Sequence, residues 1–341
     1  MPPPPSQYTE FLSGFRAPIL TGAIALVVTI FATPLVKKLA FKYGAVDDPK
    51  QDDRRVHKEP IPRWGGIAIY AGILISLLIM IPLAMPQTLF PRYLIGILAV
   101  GGLLVIFGAL DDLYAFSAKI QLAGLLGAGL IIQFMFDKFG RVQIEGVEWP
   151  MFVGGHWIQF PAWLAVILTM IYIFVVSKTM DTIDGIDGLA SGIAFVAAAA
   201  LVVIAASKGE QPRVALAAAA IAGASLGFLR HNYNPAKIFM GTGGAQVLGF
   251  SLACLSIVGA FKTMATFALL IPMVFGVPLF DAFFVIVRRL KSGQPITQAD
   301  KRHVHHTLMS TGLNQKQTVW VLYGAAFLLS AVLVMLMFWR G

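Results

Sequence analysis

The chain is poor in charge and nearly devoid of cysteine. Only 13% of its 341 residues are Asp, Glu, Lys or Arg, while 57% are hydrophobic. An average soluble domain carries about 25% charged residues, so this composition excludes an ordinary soluble enzyme and points to a polytopic membrane protein. The single cysteine, Cys254, sits in an apolar segment, which rules out a disulfide framework and a cysteine metal site. Met1 to Glu10 holds four prolines and no basic residue, unlike a signal peptide. Residues 1–16 read as a short tail and residues 17–341 as one integral-membrane domain. No period of 20–50 residues repeats, and no separate soluble domain stands out.

What the chain does have is long apolar runs. Ten are long enough to cross, near 17–40, 64–84, 92–110, 120–136, 161–178, 189–206, 213–229, 243–261, 266–287 and 318–339. An even number puts both termini on one side and leaves five loops on the other. Those five loops and their edges carry most of the 26 Lys and Arg residues. The positive-inside rule makes them cytoplasmic and both termini extracytoplasmic. The expected fold is therefore an all-α polytopic membrane protein of about ten transmembrane helices, with both termini extracytoplasmic and five loops cytoplasmic. The net charge of +9 is then largely topology, and no nucleic acid is expected as a partner. Residues 137–160, with Gly140, Gly146, Gly154 and Gly155 among β-formers, suit a small extracytoplasmic hairpin.

The remaining charge is concentrated where it is expensive. Asp181-Thr-Ile-Asp184-Gly-Ile-Asp187-Gly-Leu189 closes the uncharged run from Pro161 to Val176. Acids at the edge of a span suggest a site before they suggest decoration. Asp184 and Asp187, three residues apart, share a face if the backbone there is helical. Clustered carboxylates gain most by sharing a cation, and Mg²⁺ prefers oxygen ligands. A solvated polar loop is the plain alternative.

The other loops add bases and acids in order. The first carries Asp47, Asp48, Arg54, Arg55, His57 and Lys58, then Pro60-Ile-Pro62-Arg63-Trp64-Gly65-Gly66, and its prolines and glycines favour a stiff, extended connector. The second holds Asp111-Asp112 at the end of a span, where the helix dipole disfavours negative charge, and then Lys119. The fourth runs from Arg230 and His231 through Asn234-Pro235-Ala-Lys237 to Gly241-Thr242-Gly243-Gly244-Ala245. Glycines opening a helix either present backbone N–H groups to an anion or allow close helix packing. The fifth carries Arg302-His303-Val-His305-His306, donors suited to a diphosphate at least as well as to a metal. A secondary transporter would show paired internal repeats, and none is evident. A serine intramembrane protease needs a histidine within a span, which is lacking; an aspartyl type has only Asp281 to offer at membrane depth.

Taken together these motifs resemble the polyprenyl-phosphate N-acetylhexosamine-1-phosphate transferases (glycosyltransferase 4, the MraY–WecA type). The matching residues are Arg54, His57, Pro60 to Gly66, Asp111-Asp112 with Lys119, Asp184-Gly-Ile-Asp187-Gly-Leu, Asn234 to Gly241, and His303-Val-His305-His306. The histidine motif followed by Thr307-Leu308 looks like the branch using simple UDP-N-acetylhexosamines, the WecA/TagO-like one, rather than the muramoyl-pentapeptide branch. The resemblance implies transfer of GlcNAc-1-phosphate from a UDP-sugar to undecaprenyl phosphate with release of UMP. It implies a bacterial inner-membrane enzyme with its site on the cytoplasmic face, Mg²⁺ (or Mn²⁺ in its place) as cofactor, and work in cell-envelope glycopolymer synthesis. The implied partners are the UDP-N-acetylhexosamine, the lipid phosphate and the bilayer, with a homodimer as an open alternative to a monomer. Asp111, Asp112, Asp184, Asp187 and Lys119 are the implied catalytic set. Arg54, Arg55, His57, Arg63, Lys178, Asn234, Lys237, Gly241, Gly244, Arg302, His303, His305 and His306 are implied for substrate.

The chain departs from that family pattern in one place. Lys178 and Asp181 stand where the pattern has Asn, and Thr242 and Ala245 where it has an Asp–Ser pair, that Asp being the metal ligand. The acid count is preserved, which suggests that the metal carboxylate has moved to Asp181. The expected metal set is Asp111, Asp112, Asp181 and, weakly, Thr242. A degenerate, non-catalytic site is the competing reading.

Overall fold

A computed structural model describes residues 14–48, 59–85, 90–149, 156–207, 211–258, 276 and 304–339. Within them the chain is overwhelmingly helical. Helices α1 (Arg16–Tyr43), α2 (Gly65–Ala84), α3 (Arg92–Tyr114) and α4 (Ala118–Ile131) precede a small ribbon. Helices α5 (Ala162–Ile183), α6 (Leu189–Ser207), α7 (Pro212–Asn232), α8 (Gly241–Val258), the short α9 (Val304–Ser310) and α10 (Gln315–Trp339) follow it. Eight of these, all but α4 and α9, are long and apolar enough to cross a membrane. Every apolar run of the sequence except 266–287, of which only residue 276 is described, coincides with a helix. The fourth is shorter than expected: α4 has 14 residues before a 3₁₀ turn at Ile132–Phe134. With that turn the segment runs from Ala118 to Phe134, at the short end of the range of about 17–25 residues for a crossing helix.

Helix ends are set by local chemistry. Gly44, in the left-handed region at φ 74°, stops α1 and returns its N–H to Ala40 and Phe41. The turn after α1 is then tied down by two short antiparallel strands, β1 (Val46–Asp47) and β2 (Ile61–Pro62). That pairing organises the ends of the first loop, whose middle, with Arg54, Arg55 and His57, lies outside the described residues. A second ribbon, β3 (Gly146–Trp149) against β4 (His156–Gln159), occupies the stretch between α4 and α5.

The bundle is organised around α8. Every residue from Gly243 to Val258 is buried. Helices α2, α3 and α5 pack against it, while α1, α6, α7 and α10 build outward through contacts of α1 with α2 and α7, and of α6 with α7 and α10. Gly66 of α2 and Gly108 of α3 lie directly against the backbone at Gly243 and Gly244, so a Cβ at Gly66 or Gly108 would collide with α8. Between membrane helices, small residues gain stability through such close approach, since lipid supplies little hydrophobic drive for helix association. This corrects the expectation for Gly244: it is a packing residue, buried against Gly66 and away from substrate space. Large apolar side chains such as Phe31 and Leu35 of α1, or Phe327 and Leu328 of α10, stay exposed on the outer surface, as a lipid-facing helix requires.

Candidate active site

One end of the bundle holds a cavity of about 780 Å³. Its walls come from the last turns of α1, α3 and α5, the first turns of α8 and α10, and the connectors between them. A cavity of 300–1,000 Å³ is the usual size for a small-molecule site. Its charged lining is Lys37, Asp47, Glu59, Arg63, Asp112, Asp181, Asp184, Asp187 and Lys237, joined by Asn234, Gly241, Thr242 and Gln315.

The connectors are stitched together through their backbones. Arg63 N–H donates to Ala45 O at 2.9 Å, Phe239 N–H to Pro62 O at 2.9 Å, and Gly65 and Gly66 N–H to Phe239 O and Met240 O at 3.0 and 2.8 Å. The first and fourth loops thus form one wall. Trp64, at the start of α2 with φ 76°, clamps α3 by donating its indole N–H to Ala109 O at 3.0 Å. Asn232, 1% exposed, ties the third loop to the fourth. Its Oδ1 accepts from Gly188 N–H (3.1 Å) and Ser191 Oγ (3.0 Å), and its Nδ2 donates to Ile238 O (3.0 Å).

The paired acids of α3 divide their labour. Asp111 turns away from the cavity: its carboxylate accepts from Phe116 N–H at 2.8 Å and from Gln121 Nε2 at 3.1 and 3.2 Å. It therefore closes the α3–α4 turn, where the chain needs an acceptor. Asp112 points in. Its side chain is 2% exposed, its Oδ1 accepts from Thr242 N–H at 3.3 Å, and the Arg63 guanidinium lies 3.7 Å away. Its Oδ2 is buried with no hydrogen-bond partner. The N-terminus of α8 does receive an anion, then, but that anion is the protein's own carboxylate. Arg63 is shared, reaching Asp47 Oδ1 at 2.6 Å.

Span five runs further than its hydropathy indicates, to Ile183, so Lys178 and Asp181 lie in its last two turns. Lys178 Nζ is 2.5 Å from Asp181 Oδ2 and 3.0 Å from Gln121 Oε1. Asp184 sits at the helix end and residues 185–188 are turns, which corrects the expectation that Asp184 and Asp187 share a helical face. Gly185 and Gly188 break the helix there, Gly188 at φ 83°. Asp187 instead binds the fourth loop, accepting from Asn234 Nδ2 and Ala236 N–H, both at 2.9 Å. Asn234 also donates to Gln315 Oε1 at 2.7 Å, which brings the start of α10 to the site. Among the described residues no hydrogen bond reaches the Asp184 carboxylate. Burial pushes it well above the usual carboxylate range, the charges of Asp181 and Asp112 raise it further, and Arg63 opposes them.

The structure thus gathers Arg63, Asp112, Asp181, Asp184, Asp187, Asn234, Lys237, Gly241 and Thr242 around one space. Asp111 and Lys178 stand behind it, and Lys119 is exposed on the first turn of α4, outside the lining. Arg302 and His303 lie outside the described residues, and His305 and His306 are placed only as backbone of α9. Sequence reasoning gave no role to Asp47, Gln121, Asn232 or Gln315. Among the described residues, no three His, Cys, Asp or Glu side chains form a ready-made metal cluster. Mg²⁺, however, is commonly held by one or two carboxylates together with waters and substrate phosphates. The unpartnered Asp112 Oδ2 and the neighbouring Asp184 suit that role; Asp181, already paired with Lys178, suits it less.

Residues 94–260 match the model of glycosyl transferase family 4. The chain is 34% identical over 320 residues to a probable undecaprenyl-phosphate N-acetylglucosaminyl 1-phosphate transferase of Bacillus subtilis, covering 93% of this chain and 84% of that protein. The chain belongs to this family. The chain is also similar to a decaprenyl-phosphate N-acetylglucosaminephosphotransferase of Mycolicibacterium smegmatis, 31% identical over 329 residues (89% of this chain, 78% of the relative). An undecaprenyl-phosphate alpha-N-acetylglucosaminyl 1-phosphate transferase of Escherichia coli K12 is 28% identical over 317 residues (91% and 81%). A family 4 chain with several apolar, membrane-length helices is a multi-pass membrane transferase of the phospho-sugar type.

Proposed function

We propose that this protein transfers GlcNAc-1-phosphate from UDP-GlcNAc to undecaprenyl phosphate and releases UMP, opening the synthesis of a cell-envelope glycopolymer. The observation that carries the reading is the meeting of Asp112, Asp184, Arg63 and Lys237 in one cavity at the ends of membrane-length helices. An oxygen of the lipid phosphate attacks the sugar-bearing phosphorus of the donor. A new P–O bond forms, the P–O bond to the uridine phosphate breaks, and UMP leaves with that electron pair. The lipid phosphomonoester has its second pKa near 6 and is mostly dianionic at pH 7, so no strong general base is needed. The difficulty is bringing anions together, and preorganised charge is the usual remedy. Lys37, Arg63 and Lys237 supply positive charge around the cavity, and Asn234 and Asp187 shape the wall beside Lys237. Mg²⁺, or Mn²⁺ in its place, would be held by Asp112 and Asp184 and would neutralise charge on the diphosphate. The cavity lies on the cytoplasmic face of the inner membrane, a placement supported by the basic residues of its loops.

Thr242, without a carboxylate, favours a second reading, a relative that binds substrate without turning it over. One assay separates the two. Purified protein is incubated with undecaprenyl phosphate, Mg²⁺ and a panel of UDP-sugars, and UMP is measured. Release with UDP-GlcNAc, abolished by EDTA and restored by Mg²⁺ or Mn²⁺, is the expected result; no UMP from any donor favours the non-catalytic reading.

A further inference from the structure

A chain of side chains runs behind the cavity and joins three helices. Asp111, near the end of α3, accepts both bonds from the Gln121 amide on α4 at 3.1 and 3.2 Å. The Gln121 carbonyl accepts from Lys178 Nζ at 3.0 Å, and Lys178 donates to Asp181 Oδ2 at 2.5 Å. Only one orientation of the Gln121 amide works: reversed, its oxygen would face a carboxylate and its NH₂ an ammonium. Gln121 therefore acts as an adapter between an anion and a cation. Asp181 has a side chain 16% exposed and lines the cavity, whereas Lys178 does not line it.

We propose that Asp111, Gln121, Lys178 and Asp181 form a positioning relay in which Lys178 is the site's resident cation. It keeps Asp181 neutralised and out of the metal set, and leaves Asp112 and Asp184 as the carboxylates open to an external cation. The reason is local charge. Asp181, Asp184 and Asp112 are near enough to repel one another, and with Lys178 engaged on Asp181 that repulsion is reduced without closing the cavity. The relay also explains the division of the Asp111–Asp112 pair: one acid anchors the relay, the other faces substrate. Lys178 and Asp181 act together, since a partly enclosed charge left without its partner is less favourable than the ion pair. The inference rests on the metal assignment of the proposed function, but it is tested without donor, acceptor or turnover.

The test titrates Mn²⁺ into purified protein in detergent and counts free Mn²⁺ by electron paramagnetic resonance, alongside the melting temperature of each variant. Asp112→Asn and Asp184→Asn weaken binding by about tenfold or more, the scale of a lost ligand or its support. Lys178→Met frees Asp181 and tightens binding. Asp181→Asn weakens it, because an unpaired ammonium remains. The double variant Lys178→Met/Asp181→Asn returns to within about threefold of the parent, and its melting temperature exceeds that of either single variant. Gln121→Leu moves binding in the same direction as Lys178→Met and by less, while Gln121→Glu lowers the melting temperature through repulsion with Asp111. A double variant that binds Mn²⁺ as poorly as Asp112→Asn makes Asp181 a ligand and overturns the proposal. So does a parent protein that binds no Mn²⁺, or single variants that change melting temperature while leaving Mn²⁺ affinity unmoved. A protein that shows the expected Mn²⁺ pattern but releases no UMP would refute the transfer reaction and leave the relay standing.

Discussion

Asp111 and Asp112 are neighbours with opposite duties, and their variants separate. Asp112→Asn removes the inward charge that meets Arg63 and the start of α8, and turnover falls by about a hundredfold or more, the scale seen when a preorganised electrostatic group is lost. Asp111→Asn has a smaller effect on turnover and a larger one on stability, because it loosens the bonds to Phe116 and Gln121. The rates of UMP release and melting temperatures of the two purified variants check this; equal losses of activity at unchanged stability would contradict it. That one of the two acids faces the site is legible in the sequence, since adjacent helical positions point about 100° apart. Which one was not legible, because it depends on where α3 stops and on a glutamine ten residues later. Neutral polar residues are the hardest to read. Gln121, Asn232 and Gln315 carry no charge, so only their isolation in or beside apolar helices marks them.

At the scale of elements, turns and glycines do more than composition suggests. Asp184 and Asp187 were expected on a common helical face; α5 instead ends at Ile183, and the turn with glycines at 185 and 188 sends Asp187 to the fourth loop. Periodicity assumes a continuous helix and cannot see that break. The glycine run opening α8 had two readings, anion cradle and close packing, and the structure divides them: Thr242 N–H meets Asp112, while Gly243 and Gly244 pack. Gly66→Ala is therefore expected to be poorly tolerated, its Cβ colliding with the backbone of α8, with lower yield and melting temperature in detergent. Asn232→Ala leaves Gly188 N–H, Ser191 and Ile238 O to find other partners in a buried setting, at a cost of about 1–3 kcal/mol for a group left unsatisfied. A drop of several degrees in the melting temperature of Asn232→Ala is the expected outcome.

For the whole molecule, the apolar runs were the most legible feature, because burial in lipid leaves a continuous hydropathic signal that local packing does not erase. The α4 segment is the exception, shortened by its 3₁₀ turn. Sidedness is testable directly. Single cysteines placed at Ala118, Pro235 and His305, in a Cys254→Ser background, are expected to react with an impermeant thiol reagent only from the cytoplasmic face; reaction of any one from outside would break the common-face arrangement.

The most enclosed helices of the bundle, α7 and α8, are also its least hydrophobic membrane-length segments. An alanine- and glycine-rich hairpin of this kind has a weak claim on lipid by itself. Its place in the bilayer depends on helices synthesised earlier, α1, α2 and α6 for α7 and α2, α3 and α5 for α8, which offer the surfaces it fills. Biogenesis of the protein is therefore ordered by the ribosome: the cavity, whose walls need the start of α8, comes into being only after that late hairpin has found its slot. Truncated chains ending before Gly241 should enter the membrane yet remain targets for quality-control proteolysis, with the substitution Gly66→Ala reproducing that fate in the full-length chain.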